Sequence, residues 1–470
     1  MPGKSDISCG YVHKPHNLTC GESCNEKGCQ GNNDASQKVF VHPISDRVRK
    51  LSYSVTGYKI IRRKVEYVRP IVKFENCRIL RGHDLIKDDF WISGPNIVDP
   101  EDLFFNLKMM PDKVIDCKGA IVAPGFIDVQ INGGFGVDFA YDISRVEEAV
   151  VTVAKGVLAH GVTSFCPTLV SSMPEVYKEV LPFLKKRSGG KHGAEVLGAH
   201  VEGPFINEEK KGAHDPATMQ TFAKGLESVR DVYKHLDAVC IITLAPELPN
   251  AVGVCRQLTD AGIIVSVGHS MASIAEGEEA VKNGAAFITH LFNAMLPFHH
   301  RDPGLVGLLA SEKIPEGRTI YYGIIADGNH THPATTRIAY RAYPKGIVLV
   351  TDACSAMGLS EGVYHIGQQV IEVTGTKAYV KGTTTLAGSV ATMISCIHYF
   401  WKTTSCSIVE ALEAATLHPA LLLNIDDRKG TLDFGTDADF VLLDPTNLEV
   451  QSTWIAGERV YEKPVCKPEV

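Results

Sequence analysis

Ionisable side chains stand at the ends of apolar segments in the middle of this chain, and three of them suit a metal. Glu202 follows AHV, His269 follows IIVSVG and His290 follows AAFIT. One carboxylate and two imidazoles form a common zinc ligand set, which leaves one position open for water. Each residue alone also fits ordinary packing or loop capping, but an unpaired buried imidazole is unfavourable. We therefore predict that Glu202, His269 and His290 bind a metal.

A fourth residue, Asp352, follows the apolar run GIVLVT and is the candidate general base and acid. A carboxylate beside a metal-activated water takes its proton and later passes it to a departing amine. Taken alone, an aspartate at this place fits a helix cap or a salt bridge equally well. His200 lies two residues before Glu202, hence on the same face but deeper, and we interpret it as a supporting or packing residue.

The segments that carry these residues alternate with helical patterns. The eight candidate strands are 125–132, 162–169, 195–203, 238–246, 263–269, 285–293, 319–327 and 346–352. Eight buried strands alternating with helices favour an α/β fold of the parallel (β/α)8, TIM-type barrel class. A doubly wound open sheet is the alternative, but only a barrel gathers the C-terminal ends of all strands at one mouth. The polar residues predicted to meet there are Gln130, Asn132, Thr168, Glu202, Glu247, His269, His290, Asp327 and Asp352.

The two ends of the chain differ from this middle part. Short alternating runs broken by Gly, Pro and Asp fill residues 71–123 and 421–470, which predicts a small β-sandwich domain built from both ends around a barrel of residues 124–420. Residues 1–70 carry four cysteines whose spacing misses the usual CxxC metal pairs, namely Cys9, Cys20, Cys24 and Cys29. We predict that this segment is a flexible or poorly packed extension.

Composition and motifs exclude several functions. A net charge of −7 argues against nucleic acid as a partner, although one Arg and a few backbone amides suffice to hold a small phosphorylated molecule. The opening MPGKSDISCG lacks the apolar core of a signal peptide, and no run suggests a membrane helix, so we predict a cytoplasmic protein with mostly reduced thiols. GxSxG, Walker A and GxGxxG motifs are missing, which disfavours serine-hydrolase, nucleotidase and dinucleotide-binding functions.

A series of motifs, in order, identifies a family: PGFIDVQINGG, HVEGPF, KGAH, LAPE, GHS, THLFNAM, RDPG, ADGNH, LVTDA and LAGS. Over about residues 73–465 the chain resembles the N-acetylglucosamine-6-phosphate deacetylases of the amidohydrolase superfamily. PGFID and the strand-end residues are shared across the superfamily, whereas HVEGPF, KGAH, THLFNAM and ADGNH are more specific. The resemblance implies that the chain hydrolyses the N-acetyl group of N-acetyl-D-glucosamine 6-phosphate, giving D-glucosamine 6-phosphate and acetate, in amino-sugar catabolism.

The resemblance also implies individual roles. Glu202, His269 and His290 would bind the metal, and Asp352 would move the proton. The implied substrate contacts are Ala213 and His214 near the acetamido group, Asn293, Ala294 and Arg301 at the phosphate, His330 at the sugar hydroxyls, and Leu386, Ala387 and Gly388 along the pocket wall. The arginine of this family reaches in from the neighbouring subunit, which implies a homodimer.

The end of the first strand bears on the number of metal ions. Many superfamily members carry His-x-His there to hold a second metal, but this chain has Gln130 and Asn132, and no strand-end Lys that could bridge two ions. We therefore predict one divalent metal per subunit, Zn²⁺, which counts against cyclic amidases. Two alternatives stay open: an amidohydrolase acting on a cyclic amide or a different N-acyl sugar, and a non-catalytic scaffold, which would be expected to have lost its ligands.

Overall fold

The computed structural model describes residues 67–366, 369–383 and 386–464. The predicted extension therefore lies outside the described residues, apart from positions 67–70, and so do its four cysteines. Within the described ranges, every helix is too short or too polar to cross a membrane.

Strands and helices alternate along the described chain. The strands are β1 Ile71–Arg81, β2 Asp84–Ser93, β3 Asn96–Ile97, β4 Lys113–Asp116, β5 Ile121–Pro124, β6 Phe126–Ile131, β7 Gly133–Gly134, β8 Val137–Asp138, β9 Val162–Val170, β10 Glu195–Val196, β11 Ala199–Glu202, β12 Val239–Leu244, β13 Ile264–Val267, β14 Phe287–Ile288, β15 Tyr321–Ile325, β16 Ile347–Val350, β17 Gly362–Ile366, β18 Gln369–Thr374, β19 Lys377–Val380, β20 Leu386–Gly388, β21 Phe440–Leu443, β22 Val450–Ile455 and β23 Glu458–Glu462. The α-helices are α1 Val146–Gly156, α2 Pro174–Val180, α3 Leu226–Tyr233, α4 Ala251–Asp260, α5 Ile274–Lys282, α6 Pro333–Ala342, α7 Met393–Thr404, α8 Ile408–Glu413 and α9 Leu417–Leu422.

The central sheet is the predicted parallel barrel. Its eight strands run in the order β6-β9-β11-β12-β13-β14-β15-β16, with β10 pairing beside β9. The first and last strands meet where the Asp352 N–H donates to the Gln130 carbonyl at 2.8 Å and the Asn132 N–H donates to the Ala353 carbonyl at 2.8 Å. Almost every barrel residue is buried because side chains fill the interior and helices cover the outside. The α/β barrel prediction is confirmed.

Two predicted strands are shorter in the structure than in the sequence pattern. Residues 195–203 form two pieces that separate at Gly198, whose φ of 109° is a conformation that glycine adopts most readily. Residues 285–293 contribute only the two residues of β14, because the chain turns sharply at His290, where φ is 28°. Apolar periodicity alone does not reveal either turn.

The chain ends build the predicted small β domain, whose strands belong to one continuous sheet. Its order is β23-β22-β21-β5-β1-β2-β3, with β4 beside β1, so the C-terminal strands and the N-terminal strands form the two halves of the sheet and meet where β21 pairs with β5. Its core is aromatic: Phe74 meets Phe440 edge-on at 5.2 Å, and Phe440 stacks on Trp454 at 5.3 Å between ring centroids. The core of this domain therefore depends on side chains from both segments.

A four-stranded antiparallel sheet, β17 to β20, follows the last barrel strand and was not anticipated from the sequence. Its inner face packs Ile371, Val373 and Ala378 against Cys354 and Ala356. This packing places β20 beside the end of β16, which is where Asp352 lies. The inserted sheet therefore forms one side of the barrel mouth.

A buried ion cluster joins the barrel to the end sheet. The Lys429 ammonium, on a residue only 4% exposed, lies 2.9 Å from Glu195 and 3.2 Å from Asp437 and also bonds Asp439. Arg428 bonds Glu195 at 2.6 Å and Asp437 at 2.8 Å. The three carboxylates come from β10 and from the segment that leads into β21, so two cations hold the two parts of the chain together.

Replacing Lys429 by Met should therefore destabilise the fold strongly. Removal of one partner from a buried ion cluster leaves uncompensated charge and costs about 3–5 kcal/mol. Lys224→Met is the matched control, because Lys224 pairs with Asp231 on the surface and such pairs contribute about 0–1 kcal/mol. The free energies of unfolding come from denaturant titration, and equal losses in the two variants would contradict the role given to the cluster.

Candidate metal centre

Three of the predicted side chains converge at the barrel mouth, and all three are at least 96% buried. Glu202 Oε1 lies 2.9 Å from His290 Nε2 and 3.2 Å from His269 Nε2, and the two imidazole nitrogens are 3.0 Å apart. Bonds of about 2.1 Å in a tetrahedral zinc site separate ligand atoms by about 3.4 Å. The three observed separations are slightly shorter than this. One oxygen and two nitrogens so placed therefore suit a small divalent cation once the three side chains move slightly apart.

The backbone turns into the left-handed region at the residues that face this centre. The φ angle is 49° at His269, 28° at His290 and 45° at Asp352. A residue with a Cβ atom rarely adopts this conformation, which costs free energy and concentrates at functional sites. The turns direct the side chains inward at the mouth instead of letting them alternate along a strand.

The electrostatics of the centre favour a cation. Burial alone would raise the pKa of Glu202, but hydrogen bonds with His269 and His290 outweigh burial and hold that pKa well below its usual range. Burial acts against the charged form of His290, yet the Glu202 carboxylate raises the pKa of His290 to about 9. A carboxylate that holds a proton between itself and an imidazole offers the same position to a metal ion.

Outer hydrogen bonds fix the direction of the ring of His269. Its Nδ1 lies 2.8 Å from the Lys210 carbonyl oxygen. A carbonyl only accepts, so Nδ1 carries a proton, and Nε2 is the nitrogen that would give its lone pair to a cation in place of its hydrogen bond with Glu202, as is usual for metal-binding histidines. The Nδ1 atom of His290 is buried and has no partner among the described residues.

His214 adds a fourth candidate ligand. One of its ring nitrogens lies within 4.8 Å of the ligand atoms of Glu202 and His269, and its ring centroid is 4.6 Å from that of His269. Burial and the neighbouring His269 lower the pKa of His214 to about 3, so the ring is neutral. The sequence assigned His214 to the substrate, and proximity alone does not separate the two roles.

Asp352 lies beside the centre and is held by the two first-strand amides. Asn132 Nδ2 donates to Asp352 Oδ1 at 2.8 Å, while Gln130 Nε2 donates to Asp352 Oδ1 at 3.2 Å and to Glu202 Oε1 at 2.9 Å. The Gln130 amide therefore links the two carboxylates, and the Asn132 amide donates to that of Asp352 alone. Burial and the charge of Glu202 raise the pKa of Asp352 to about 7, which suits a group that exchanges protons near neutral pH.

A chain of fully buried hydrogen bonds crosses the barrel directly below. His200 Nδ1 donates to the Val129 carbonyl at 2.9 Å, so its Nε2 must accept from the Thr243 hydroxyl at 2.7 Å. Thr243 in turn accepts from Thr289 at 2.8 Å, and Thr289 accepts from Ser266 at 2.5 Å. Each hydrogen bond in this series therefore has a defined donor and acceptor, and the series connects strands that carry the centre. The supporting role predicted for His200 agrees with these contacts.

Two other strand-end residues hold loops in place. Thr168 accepts from the Ile131 N–H at 2.9 Å. Glu247 accepts from Asn207 at 3.0 Å and from the Ser270 hydroxyl at 2.7 Å. Their hydrogen-bonding capacity is used in joining neighbouring loops, which separates them from the metal candidates.

The structure places several predicted substrate residues around the same mouth. His330 Nδ1 contacts Asp327 Oδ2 at 2.7 Å, and the ring is thereby oriented by the strand-end carboxylate. Asn293 is half-buried with its amide directed to the His290 carbonyl at 3.3 Å. Ala294 has a φ of 50°, and its carbonyl accepts from Ser270 at 3.1 Å. Ala213 is exposed beside His214.

The two remaining sets of predicted substrate residues, the three residues of β20 and Arg301, differ in their distance from the site. Leu386, Ala387 and Gly388 are half-buried in β20, and the next residue, Ser389, donates its N–H to the Asp352 carbonyl at 3.3 Å. Arg301 lies on an exposed loop next to Phe298, which is 65% exposed. Within the described residues, the Arg301 guanidinium makes no hydrogen bond or ion pair. The structure therefore brings β20 to the site but not Arg301.

Two residues at the mouth escaped sequence reasoning. Asp128, in PGFID, accepts from the Thr351 hydroxyl at 2.6 Å and thereby supports the backbone next to Asp352. Its position two residues before Gln130, on the same strand face, was the available signal. Ser171 contacts His214 at 2.7 Å and follows β9 without any motif that marks it.

Comparison with known proteins gives consistent matches. The amidohydrolase family pattern matches residues 121–460. The chain is 56% identical over 395 residues to N-acetylglucosamine-6-phosphate deacetylase of Danio rerio, covering 84% of this chain and 98% of that protein. It is 57% identical over 393 residues to the Homo sapiens protein of the same name, covering 83% and 96%. A mutant N-acetyl-D-glucosamine-6-phosphate deacetylase of Mycobacterium smegmatis, solved in complex with N-acetyl-D-glucosamine-6-phosphate, has a TM-score of 0.69 and 29% identity, covering 83% of this chain and 98% of that chain.

Proposed function

The chain belongs to the amidohydrolase family, within its N-acetylglucosamine-6-phosphate deacetylase branch, and from this premise we propose that it converts N-acetyl-D-glucosamine 6-phosphate to D-glucosamine 6-phosphate and acetate. The resemblance inferred from the motifs is thereby confirmed. The observation that carries the proposal is the convergence of Glu202, His269 and His290 within 3.2 Å beside the half-buried Asp352.

Glu202, His269 and His290 are the ligands of one divalent metal, Zn²⁺, in this proposal. Such an ion would lower the pKa of a water molecule and polarise the amide carbonyl. The donor set supports zinc, because one carboxylate and two imidazoles leave an open coordination position. Gln130 and Asn132 support a single ion, since their amide groups already donate to the neighbouring carboxylates.

Asp352 accepts a proton from the attacking water and returns it to the departing nitrogen. Its raised pKa supports both steps, because a group with a pKa near 7 gains and loses a proton at similar cost at neutral pH. Asn132 and Gln130 orient the carboxylate. His214 donates a hydrogen bond to the carbonyl oxygen, where negative charge develops.

The sugar and its phosphate are bound away from the scissile bond. His330, oriented by Asp327, contacts the hydroxyl groups, and the half-buried Leu386, Ala387 and Gly388 form the wall. Asn293 and Ala294 meet the phosphate with Arg301. Because Arg301 is exposed and unpaired within the described residues, we propose that it completes the site of a second subunit in a homodimer. Binding energy from the phosphate would then orient the acetamide.

The compartment in this proposal is the cytoplasm. All eight cysteines in the described part of the chain are free thiols, and seven of them are buried. A reducing compartment keeps such thiols stable without disulfides. We also propose the division into an extension of residues 1–70, a β domain of residues 71–123 and 421–470, and a barrel of residues 124–420.

The direct test is acetate release from N-acetyl-D-glucosamine 6-phosphate by the full chain, with metal counted in the same preparation. We expect activity that a chelator abolishes and that Zn²⁺ restores, at one metal per subunit. N-Acetyl-D-galactosamine 6-phosphate and a cyclic amide serve as comparison substrates. Preference for the cyclic amide, or two metals per subunit, would favour the alternative amidohydrolase function, and no turnover with a full metal site would favour a scaffold.

Replacing Arg301 by Ala should raise KM for the phosphorylated sugar by about 10- to 100-fold and change turnover of unphosphorylated N-acetylglucosamine little. The free energy that a charge-assisted hydrogen bond between arginine and phosphate contributes to binding corresponds to a change in KM of this size. Arg341→Ala, on the exposed face of α6, is the matched control. Steady-state kinetics on both substrates measure the difference, and equal effects on both would contradict the assignment.

Mixed subunits test whether Arg301 acts across a dimer. An inactive Asp352→Asn subunit still carries Arg301, and an Arg301→Ala subunit still carries Asp352. Re-association of the two should create one intact site per mixed dimer and restore activity above that of either variant. No recovery in a verified mixed dimer would place Arg301 in its own subunit's site or in no site.

A further inference from the structure

Ser171, the residue that follows β9, contacts one nitrogen of His214 with two of its own groups. The Ser171 backbone N–H points at His214 Nδ1 at 3.1 Å, and the Ser171 hydroxyl lies 2.7 Å from the same atom. Both residues are buried, with 5% and 7% of their surface exposed. Ser171 takes no direct part in the reaction proposed above.

These contacts determine where the proton of His214 sits. A backbone N–H can only donate, so the nitrogen that it faces must present a lone pair. Nδ1 is therefore unprotonated, and the single proton of the ring is on Nε2. The Ser171 hydroxyl can also donate to Nδ1 or to the Glu202 carbonyl, which is 3.3 Å away.

His269 next to it has the opposite tautomer. Its Nδ1 faces the Lys210 carbonyl and carries a proton, so its Nε2 is the nitrogen that can give a lone pair to a metal in place of its hydrogen bond with Glu202. The Nε2 of His214 carries the proton of the ring, so it has no lone pair to offer a metal. Although both rings lie near Glu202, only His269 is arranged to bind a metal, and His214 is arranged to donate a hydrogen bond.

We propose that Ser171 is a positioning residue that holds His214 as a hydrogen-bond donor toward the substrate carbonyl oxygen and keeps it from acting as a metal ligand. This inference rests on the proposed deacetylase function. Ser171 joins the His214 ring to the strand end that carries Glu202, because its N–H donates to His214 Nδ1 while its hydroxyl can donate to the Glu202 carbonyl, so ligand and donor keep a fixed separation.

The neighbouring glycine leaves room for this arrangement. A Cβ atom added to Gly203 would lie 2.2 Å from Ser171 Oγ, and the φ of Gly203 is 78°. The Gly in HVEGPF is thus required by both space and conformation. Its presence keeps the serine hydroxyl within reach of His214.

The first test uses side chains that reproduce one ring nitrogen each, in the metal-loaded full chain. His214→Gln keeps a donor near the Nε2 position, whereas His214→Asn keeps only a group near Nδ1. We expect both variants to retain one metal per subunit, with kcat about 10²- to 10³-fold lower in His214→Asn and partly retained in His214→Gln. Loss of metal in His214→Asn would overturn the inference, because it would make His214 a ligand.

The second test observes the tautomer without any turnover. Ring ¹⁵N shifts of the holoenzyme, assigned by the signal missing in His214→Asn, should show a bare Nδ1 and a protonated Nε2. Ser171→Ala should lower kcat about 3- to 10-fold at unchanged KM and metal content, and Ser171→Thr should restore it. A protonated Nδ1, or a Ser171→Ala variant that changes only stability, would refute the positioning role.

These readouts separate the inference from the proposed function. Metal content and ring shifts do not depend on the identity of the substrate. If N-acetyl-D-glucosamine 6-phosphate were not hydrolysed while His214 kept a bare Nδ1, the proposed function would fail and the tautomer assignment would stand.

Discussion

Replacing Asp352 by Asn is expected to leave the metal bound and to lower kcat by about 10²- to 10⁴-fold, the range that general acid–base catalysis supplies. Asparagine has nearly the shape of aspartate and can still be held at the barrel mouth, but it neither takes a proton from water nor returns one to nitrogen. Acetate release and metal analysis on the same sample measure the two effects.

The control for this variant is Asp260→Asn, at the exposed C-terminal end of α4, which should match the unsubstituted protein. Near-normal turnover in Asp352→Asn would remove the residue from the mechanism. Loss of metal together with activity would instead make Asp352 a ligand, which is a different role from the one proposed here.

The pH profile follows from the pKa of Asp352. Burial and the Glu202 charge raise that pKa to about 7 in the absence of a cation, and a divalent ion nearby would lower it by favouring the charged form. The base acts unprotonated, so kcat/KM should fall as pH drops through a value at or below about 7. This acidic limb should disappear in Asp352→Asn.

The centre was predictable because a parallel barrel converts sequence position into spatial position. Glu202, His269 and His290 are far apart in the chain, yet each follows an apolar strand, and all strand ends share one mouth. The same rule predicted that Asp352 lies with them. It did not separate these residues from Thr168 and Glu247, because only the structure shows the loop contacts that occupy those two.

Other features depend on contacts that have no sequence period. His214 lies on a loop, so its distance from the centre follows from the fold of that loop and not from strand alternation. The tautomer of His214 depends on one backbone N–H, which every residue except proline has. The inserted sheet and the ions around Lys429 likewise result from pairings between distant segments.

The second large effect is expected at the metal itself. Replacing Glu202 by Gln removes the only negatively charged ligand of the proposed set and leaves two neutral imidazoles with a weakly binding amide. Loss of residues that merely support a ligand weakens metal affinity by about 10- to 100-fold, so loss of the ligand itself should cost at least about 100-fold. Competition with a chelator of known affinity measures the change.

Activity in Glu202→Gln should follow metal occupancy, because the residue contributes to the reaction through the ion that it binds. Excess Zn²⁺ should therefore recover part of the acetate release, whereas no amount of metal should recover it in Asp352→Asn. Glu316→Gln, at an exposed position, is the matched control and should bind metal normally. Unchanged metal affinity in Glu202→Gln would show that the ion lies elsewhere, and the proposed hydrolase would then lose the centre on which every step depends.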